Sequence, residues 1–168
     1  MSEKKSKVMV VDDDESVRDS LRKLLDGEGY QVILAANGLE AVETFRREQN
    51  QIDLVLVDLN MPMKNGWVTL NDLLEASPFL PVFVLTGLSH QSELAMAAGV
   101  CALVEKPIDV SELLQLIKKQ LVEPTRSRIQ HPGHRDFSFR HLRAARYVSD
   151  GLSAGRDIAA YNHWGLNE

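Results

Sequence analysis

The 168 residues are enough for one domain of ordinary size and a shorter additional segment. With 44% hydrophobic and 26% charged residues, the composition is that of a globular protein. No apolar stretch approaches the roughly 18 residues of a membrane-spanning helix, and the single cysteine, Cys101, excludes an internal disulfide bond and fits a reducing compartment. The basic residues at the start precede only four apolar residues, Val8 to Val11, which are too few for a signal peptide. We therefore expect a cytoplasmic protein that does not associate with a membrane.

The charge of the chain changes abruptly near Pro124. Residues 1–123 hold 12 Lys and Arg against 20 Asp and Glu, a net charge of −8, whereas residues 124–168 hold 7 Arg and 4 acids, a net charge of +3. Proline and glycine are frequent directly after the change, at Pro124, Pro132 and Gly133. We therefore expect one domain over residues 1–123, a linker over 124–136 and a short C-terminal extension over 137–168.

Along residues 1–123, short apolar runs alternate with segments whose apolar residues recur at helical spacing. The runs predict five strands, at residues 7–11, 32–36, 54–57, 82–85 and 101–104. Helical spacing follows four of them, at Val17, Leu21, Leu24 and Leu25; at Leu39, Val42 and Phe45; at Trp67, Leu70, Leu73 and Leu74; and at Leu113, Leu116, Ile117 and Leu121. The fourth helix, at about residues 89–98, is mostly alanine and polar residues. Before the last helix, Asp109 and Glu112 have the spacing of a capping box.

This alternation predicts parallel strands with right-handed crossovers and helices on both faces of the sheet. One common solution for five such units, (βα)5, is the flavodoxin-like doubly wound fold with strand order 2-1-3-4-5. The expected fold class is therefore α/β, with a C-terminal extension that we expect to be helical. In this order the carboxyl ends of strands 1, 3, 4 and 5 are neighbours.

Polar residues follow these four strands: Asp12 and Asp13 after the first, Asp58 after the third, Thr86 after the fourth and Lys106 after the fifth. Three carboxylates held close together repel one another and require a cation. Oxygen donors without His or Cys favour Mg²⁺. A carboxylate can attack a phosphoryl group, and a metal ion, a lysine and a hydroxyl would position and neutralise that group. The cluster therefore favours Mg²⁺-dependent phosphoryl transfer.

Four motifs around these residues resemble the receiver domain of two-component response regulators. They are Val-Asp-Asp-Asp at 11–14, Val-Asp-Leu-Asn-Met-Pro-Met-Lys-Asn-Gly at 57–66, Leu-Thr-Gly at 85–87 and Glu-Lys-Pro at 105–107. The motifs occur in the order and at the spacing of the family, and the resemblance covers roughly residues 5–122.

The resemblance implies a role for each of these residues. Asp58 would accept a phosphoryl group from the phosphohistidine of a sensor histidine kinase or phosphotransfer protein. Mg²⁺ would bind to the residues Asp12, Asp13 and Asp58 and to the carbonyl oxygen of Asn60. Thr86 would move to hydrogen-bond the phosphoryl group, Lys106 would pair with that group, and the Lys106–Pro107 peptide bond would be cis.

The chain departs from the family at Leu103, three residues before Lys106. The family usually has a Tyr, Phe or His there, which turns inward as the threonine moves. The expected conformational switch therefore consists of Thr86 and Leu103, and a leucine offers less area and no polar tip.

The C-terminal extension suggests two short helices. Phe137, Leu142, Ala145, Tyr147 and Val148 could line the first, and residues 157–164 could form the second. This outline faintly resembles the first two helices of helix-turn-helix output domains, although the chain stops where a recognition helix would begin. DNA-binding transcriptional regulation through residues 137–168 is therefore the alternative to a signalling switch that acts on an output partner or as a homodimer.

A second alternative is a phosphohydrolase of the same fold with an aspartate nucleophile. Such enzymes usually place a second acid two residues after the nucleophile, and here that residue is Asn60, which cannot act as a general acid. We therefore expect no enzyme acting on a diffusible substrate, but a protein that catalyses only its own phosphorylation and dephosphorylation.

Overall fold

Six strands and five helices alternate along the parts of the chain that the computed structural model describes, residues 5–48, 51–61, 66–88, 90–122 and 139–142. The strands are β1 (Lys7–Val11), β2 (Gln31–Ala35), β3 (Leu54–Asp58), β4 (Val82–Thr86), β5 (Ala102–Glu105) and β6 (Arg140–Leu142). The helices are α1 (Glu15–Gly27), α2 (Gly38–Arg47), α3 (Gly66–Ala76), α4 (Ser92–Ala97) and α5 (Val110–Val122).

The strands form one parallel sheet in the order β2-β1-β3-β4-β5-β6. The first five have the order 2-1-3-4-5 that the flavodoxin-like fold predicts, so the predicted fold class is confirmed. Because all strands run in the same direction, their carboxyl ends lie along one edge of the sheet.

Hydrophobic side chains cover both faces of the central strands. Every residue of β1, β3 and β4 is buried. Successive residues point to opposite faces, so that Met9 and Val11 belong to one core cluster, and Val8 and Val10 to the other. Continuous apolar runs of this kind are typical of parallel strands with helices on both sides.

The last helix begins directly after Asp109, which caps it with its side chain as the sequence predicts. The Asp109 carboxylate accepts a hydrogen bond of 3.0 Å from the Glu112 N–H group. On the inner side of α5, Leu113 and Ile117 are fully buried in the core cluster that contains Val8 and Val10. Leu116 and Leu121 of the same helix pack against this cluster. This helix therefore covers the face of the sheet that holds Val8 and Val10.

The fourth helix is shorter than the sequence suggests. It spans Ser92–Ala97 instead of about 89–98, and His90 before it has a positive φ of 62°. Only Ala95 of this helix is buried. Few side chains of α4 are large and point into the core. Packing therefore contributes little free energy to a longer helix.

The predicted helix around Leu142 is wrong for residues 140–142, which form the strand β6 instead. This strand pairs with the free side of β5 and extends the sheet beyond the five predicted strands. The other residues of the predicted linker and extension, 124–136, 137–138 and 143–168, lie outside the described residues. In the described part of the chain, no helix is long and apolar enough to cross a membrane.

Candidate functional site

Four strands deliver the predicted site residues to the carboxyl edge of the sheet. Asp12 directly follows β1, Asp58 ends β3, Thr86 ends β4 and Lys106 directly follows β5. Asp12, Asp58 and Thr86 are buried, with exposed fractions of 1%, 4% and 0%. The structure therefore brings these side chains together, as the predicted strand order requires.

The carboxylates of Asp12, Asp13 and Asp58 form a compact cluster. Each offers one oxygen, and these oxygens all lie within 4.8 Å of one another. Asp12 and Asp58 are buried, whereas Asp13 is exposed, so the cluster has an inner part and one side open to solvent. Three oxygen donors with an open side fit Mg²⁺, which binds a few carboxylates and keeps several of its waters.

Lys106 bridges the two buried carboxylates. Its Nζ lies 3.0 Å from Asp12 Oδ2 and 3.1 Å from Asp58 Oδ2. Burial alone would lower the pKa of Lys106, but the hydrogen bond and charge of Asp12, together with Asp58, outweigh burial and raise this pKa. The lysine therefore remains a cation that offsets part of the negative charge of the site.

Asp12 is held by several contacts. Its Oδ1 accepts a hydrogen bond of 2.9 Å from the Asp14 N–H group, and its backbone oxygen accepts one of 2.7 Å from Arg18 Nη1. Burial raises the pKa of Asp12, although the Asp14 N–H group and Lys106 act in the opposite direction. The sequence does not predict this contact, because Arg18 lies within α1 and belongs to no recognisable motif.

Asp14, the third acid of the motif at 11–14, caps helix α1. Its Oδ1 accepts hydrogen bonds from the N–H groups of Ser16 and Val17, at 2.8 Å and 3.3 Å. The hydrogen bonds with Ser16 hold the pKa of Asp14 below its usual value. Asp14 therefore fixes the start of the helix that follows the two acids of the cluster.

Asn60 lies next to the acceptor candidate through its backbone. The Asn60 N–H group donates a hydrogen bond of 3.1 Å to Asp58 Oδ1, and the residue is exposed. With Lys106 on Oδ2, both oxygens of Asp58 accept hydrogen bonds. The role of the Asn60 carbonyl oxygen as a metal ligand stays a prediction.

Thr86 is oriented by the loop that follows β4. Its Oγ1 accepts a hydrogen bond of 2.9 Å from the Leu88 N–H group. A hydroxyl that accepts through its oxygen keeps its proton for a further bond. The side chain of Leu88 is 46% exposed at this edge of the sheet.

Gly66, the last residue of the motif at 57–66, is a further site residue. A Cβ atom at this position would lie 2.4 Å from the Asp58 carbonyl oxygen and 2.5 Å from Leu59 Cα. The Gly66 N–H group also donates to the Leu59 oxygen, at 3.3 Å. Helix α3 therefore begins against the backbone of the acceptor candidate, where only glycine fits without displacement.

Leu103 lies in β5, behind the site. It is completely buried and pairs with Val84 of β4 and His141 of β6. The Lys106–Pro107 peptide bond that follows β5 is cis, as the resemblance implied. Whether Thr86 and Leu103 act together as a switch stays a prediction.

Two curated proteins with similar sequences are named as regulators. The transcriptional regulatory protein ZraR of Klebsiella oxytoca is 37% identical over 75% of this chain and 28% of its own length. The response regulator MprA of Mycobacterium sp. (strain KMS) is 36% identical over 68% of this chain and 50% of its own. The chain thus spans half or less of the length of these relatives.

Two solved structures match over almost their whole length. A response regulator receiver domain protein from Clostridium thermocellum has a TM-score of 0.67 and 26% identity, over 75% of this chain and 99% of its own. The response regulator TrrA from Thermotoga maritima, solved in complex with Mg²⁺ and BeF, has a TM-score of 0.63 and 32% identity, over 69% of this chain and 99% of its own.

The description of the family model agrees with the site and with these relatives. The model of the response regulator receiver domain matches residues 8–118, which include every residue of the carboxylate cluster, Thr86 and Lys106. The chain therefore belongs to the response regulator receiver domain family.

Proposed function

We propose that this protein is a phosphorylation-controlled signalling switch in which Asp58 accepts a phosphoryl group in the presence of Mg²⁺. The donor would be the phosphohistidine of a sensor histidine kinase or phosphotransfer protein, in the cytoplasm. The observation that carries the proposal is that the Asp58 carboxylate contacts the Lys106 ammonium and lies within 4.8 Å of the carboxylate oxygens of Asp12 and Asp13. The resemblance of the motif at 57–66 to the receiver family supports Asp58, rather than its neighbours, as the acceptor.

The reaction transfers a phosphoryl group from nitrogen to oxygen. An oxygen of the Asp58 carboxylate forms a bond to phosphorus while the P–N bond of the phosphohistidine breaks, and the imidazole nitrogen keeps the electron pair of that bond. The chain acts on itself and needs no diffusible organic substrate other than a phosphodonor. Positioning and charge neutralisation account for most of the catalysis in such transfers.

Asp12 and Asp13 would hold the metal ion together with Asp58, which is the reason for three acids at one edge. A bound Mg²⁺ would neutralise charge on the carboxylates and on the incoming phosphoryl oxygens. Asp12 and Asp58 are already fixed by Lys106, and Asp12 also by the Asp14 N–H group. The acceptor oxygen is therefore oriented before the donor arrives.

Lys106 and Thr86 would stabilise the product. The Lys106 ammonium, now shared by two carboxylates, can pair with a phosphoryl oxygen. The Thr86 hydroxyl, which accepts from the Leu88 N–H group, has its proton available for the phosphoryl group. Both groups come from strands next to each other, since β4 pairs with β5.

Intact-mass measurement after incubation with acetyl phosphate and Mg²⁺ tests the proposal. We expect a gain of one phosphoryl group in the parent protein, no gain without Mg²⁺, and no gain in Asp58→Asn. Asp19→Asn is the matched control, because Asp19 is a partly exposed carboxylate on α1 that pairs with Arg22. A full gain in Asp58→Asn would overturn the assignment of the acceptor.

DNA-binding output is a second candidate, supported by the names of relatives such as the transcriptional regulatory protein ZraR. Residues 124–168 carry a net charge of +3, which favours phosphate contacts only modestly. Titration of duplex DNA at low salt, with and without a phosphoryl mimic such as beryllofluoride, tests this candidate. Absence of binding in both states, or equal binding in both states, would count against this candidate, while phosphorylation-dependent binding would support it.

A further inference from the structure

The strand β6 joins the sheet at the strand that carries the site lysine. Arg140, His141 and Leu142 pair in parallel with Ala102, Leu103 and Val104 of β5. The Arg140 N–H group donates a hydrogen bond of 3.1 Å to the Cys101 oxygen. We call residues 139–142 the edge segment, because β6 pairs with β5 on the side that faces away from β4 and is the last strand of the sheet.

The edge segment contacts the cores on both faces of the sheet. Phe139 packs against the cluster that contains Leu103, and Leu142 packs against the cluster that contains Val104. All four residues of the segment remain partly exposed. A three-residue edge strand with half-buried side chains is among the least stable parts of a sheet, so a small free energy decides whether it stays paired.

A row of polar side chains leads from the site to this segment. Val84 and Leu103 belong to the same core cluster, so that Thr86 and Glu105, two residues further along their strands, lie on that same face. Thr86 is also in register with Glu105. His141 is in register with Leu103, and its Nε2 lies 2.8 Å from Glu105 Oε1. The row therefore crosses three neighbouring strands, from Thr86 through Glu105 to His141.

Glu105 is connected to the site on two sides. It directly precedes Lys106, whose Nζ contacts Asp12 and Asp58. The Lys106 N–H group donates a hydrogen bond of 2.7 Å to the Thr86 backbone oxygen. Glu105 is therefore the residue through which a displacement of Lys106 or Thr86 would reach the edge segment.

We propose that the edge segment is a strap whose pairing with β5 weakens when Asp58 is phosphorylated. This inference rests on the proposed function. A phosphoryl group adds a charge of about −1.5 to −2, which draws the Lys106 ammonium and the Thr86 hydroxyl toward it. The end of β5 follows these groups, and the Glu105 carboxylate moves away from His141. Loss of this contact then shifts the strap toward its unpaired state.

The coupling acts in both directions. If phosphorylation weakens the strap, a weaker strap favours phosphorylation by the same free energy. His141 is therefore a positioning residue, and its removal is expected to change the extent of phosphorylation although it lies outside the acceptor site. A merely structural contact at the sheet edge would not change the extent of phosphorylation.

Hydrogen exchange of the Arg140 amide tests the direct effect in the full chain. We expect exchange at least about fivefold faster after treatment with acetyl phosphate and Mg²⁺ than with Mg²⁺ alone, the lower end of ordinary allosteric coupling. Asp58→Asn should show no acceleration. Intact mass, measured on the same samples, establishes whether phosphorylation occurred.

The intact mass distinguishes failure of the strap proposal from failure of the proposed function. Complete phosphorylation with unchanged or slower Arg140 exchange would overturn the strap and leave the proposed function standing. Absence of any mass gain would overturn the proposed function and the strap with it.

Reciprocity is tested with variants of the strap contact. At a limiting concentration of beryllofluoride, a phosphoryl mimic that binds reversibly in the presence of Mg²⁺, His141→Ala and Glu105→Gln should reach a higher occupied fraction than the parent, with a binding constant raised by about fivefold or more. Lys118→Ala, at an exposed position on α5, is the control and should match the parent. Equal fractions in all four proteins would overturn the coupling, whatever the change in their stability.

Discussion

Lys106 Nζ lies 3.1 Å from Asp58 Oδ2, although the two residues are 48 positions apart in the chain. The strand β4 lies between their strands in the sheet, so the long lysine side chain reaches across one strand to the acceptor candidate. The same ammonium also contacts Asp12, at 3.0 Å. Lys106 thus faces two buried carboxylates beside the exposed Asp13, and Arg18 contacts the Asp12 backbone oxygen, so that among the described residues three carboxylates face two cations. This excess has measurable consequences for stability and metal binding.

Mg²⁺ is expected to stabilise the folded protein, because it would offset the repulsion between the carboxylates of Asp12, Asp13 and Asp58. Binding to the folded state alone contributes about 2.7 kcal/mol when the metal concentration is 100 times its Kd. Thermal unfolding with Mg²⁺ or with a chelator measures this gain. Asp13→Ala should abolish most of it, whereas Asp19→Ala should keep it. An undiminished gain in Asp13→Ala would place the metal at another site.

In the absence of metal, Asp12→Asn is expected to stabilise the protein at neutral pH. Burial raises the pKa of Asp12 above the ordinary value of 3.8, so ionisation of this group is more costly in the folded than in the unfolded state. The cost is fully present above the folded-state pKa, and it is relieved as the pH falls from that pKa toward 3.8. An asparagine can still accept the hydrogen bond from the Asp14 N–H group.

Denaturant unfolding in the presence of a chelator, repeated between neutral pH and about pH 4, measures the difference between Asp12→Asn and the parent. The advantage of the variant should shrink steadily as the pH falls through this window. An advantage that stays constant or grows in acid would contradict the effect of burial on Asp12.

Gly66→Ala is expected to destabilise the protein by about 1–3 kcal/mol, the usual cost of overpacking. The added Cβ would meet backbone atoms of Asp58 and Leu59 at 2.4 Å and 2.5 Å, and backbone cannot move aside as a flexible side chain can. Because the clash is with the acceptor residue itself, slower phosphorylation should accompany the loss of stability.

Gly87→Ala is the matched control for this change. A Cβ at Gly87 meets no atom within 4 Å. Gly87 directly follows β4, at the carboxyl ends of the strands, where Asp58 also lies. Its free energy of unfolding should stay equal to that of the parent or rise by a few tenths of a kcal/mol, roughly as for other Gly→Ala changes in permitted conformations. Equal effects of the two substitutions would refute a specific requirement at Gly66.

Leu88→Gln is expected to shorten the lifetime of the phosphorylated state. Hydrolysis requires a water in line with the bond between Asp58 and phosphorus. The exposed side chain of Leu88 lies two residues after Thr86 and offers no group that could orient this water. A glutamine could do so through its amide, and a several-fold faster loss of phosphate should result.

The dephosphorylation rate of Leu88→Gln is compared with that of the parent and of Leu88→Met, which preserves the apolar character. Retention of the parent rate in Leu88→Met and an increase in Leu88→Gln would support the role of a polar group. A rate in Leu88→Gln equal to or below that of the parent would count against it.

The central sheet and most of the site were predictable from local patterns. Apolar runs such as 54–57 and 82–85 predict strands that are buried on both faces, and the acids and lysine that follow them mark the carboxyl edge. The physical reason for Gly66 was not predictable, because it lies in the close approach of the Asp58 backbone, which the motif at 57–66 does not reveal. The contact of Arg18 with the Asp12 oxygen is equally invisible in a helical pattern.

Residues 140–142 show why the rest required the folded structure. The spacing of Phe137, Leu142 and Ala145 suggests a helix, and a three-residue segment carries too little pattern of its own to predict a strand. The open edge of β5 offers unpaired backbone groups, and pairing with them determines that residues 140–142 are extended.

By itself, the sequence determined the alternation of strands and helices in the first 122 residues and the identity of the acids, hydroxyl and lysine that follow the strands, since each depends on local hydrophobic pattern and on short motifs. Only the tertiary structure decided that Lys106 is shared by Asp12 and Asp58, that α3 begins against the Asp58 backbone and that β6 contacts Glu105. These features depend on partners that are distant in the chain, and the geometry of such pairs is set by packing of the whole sheet.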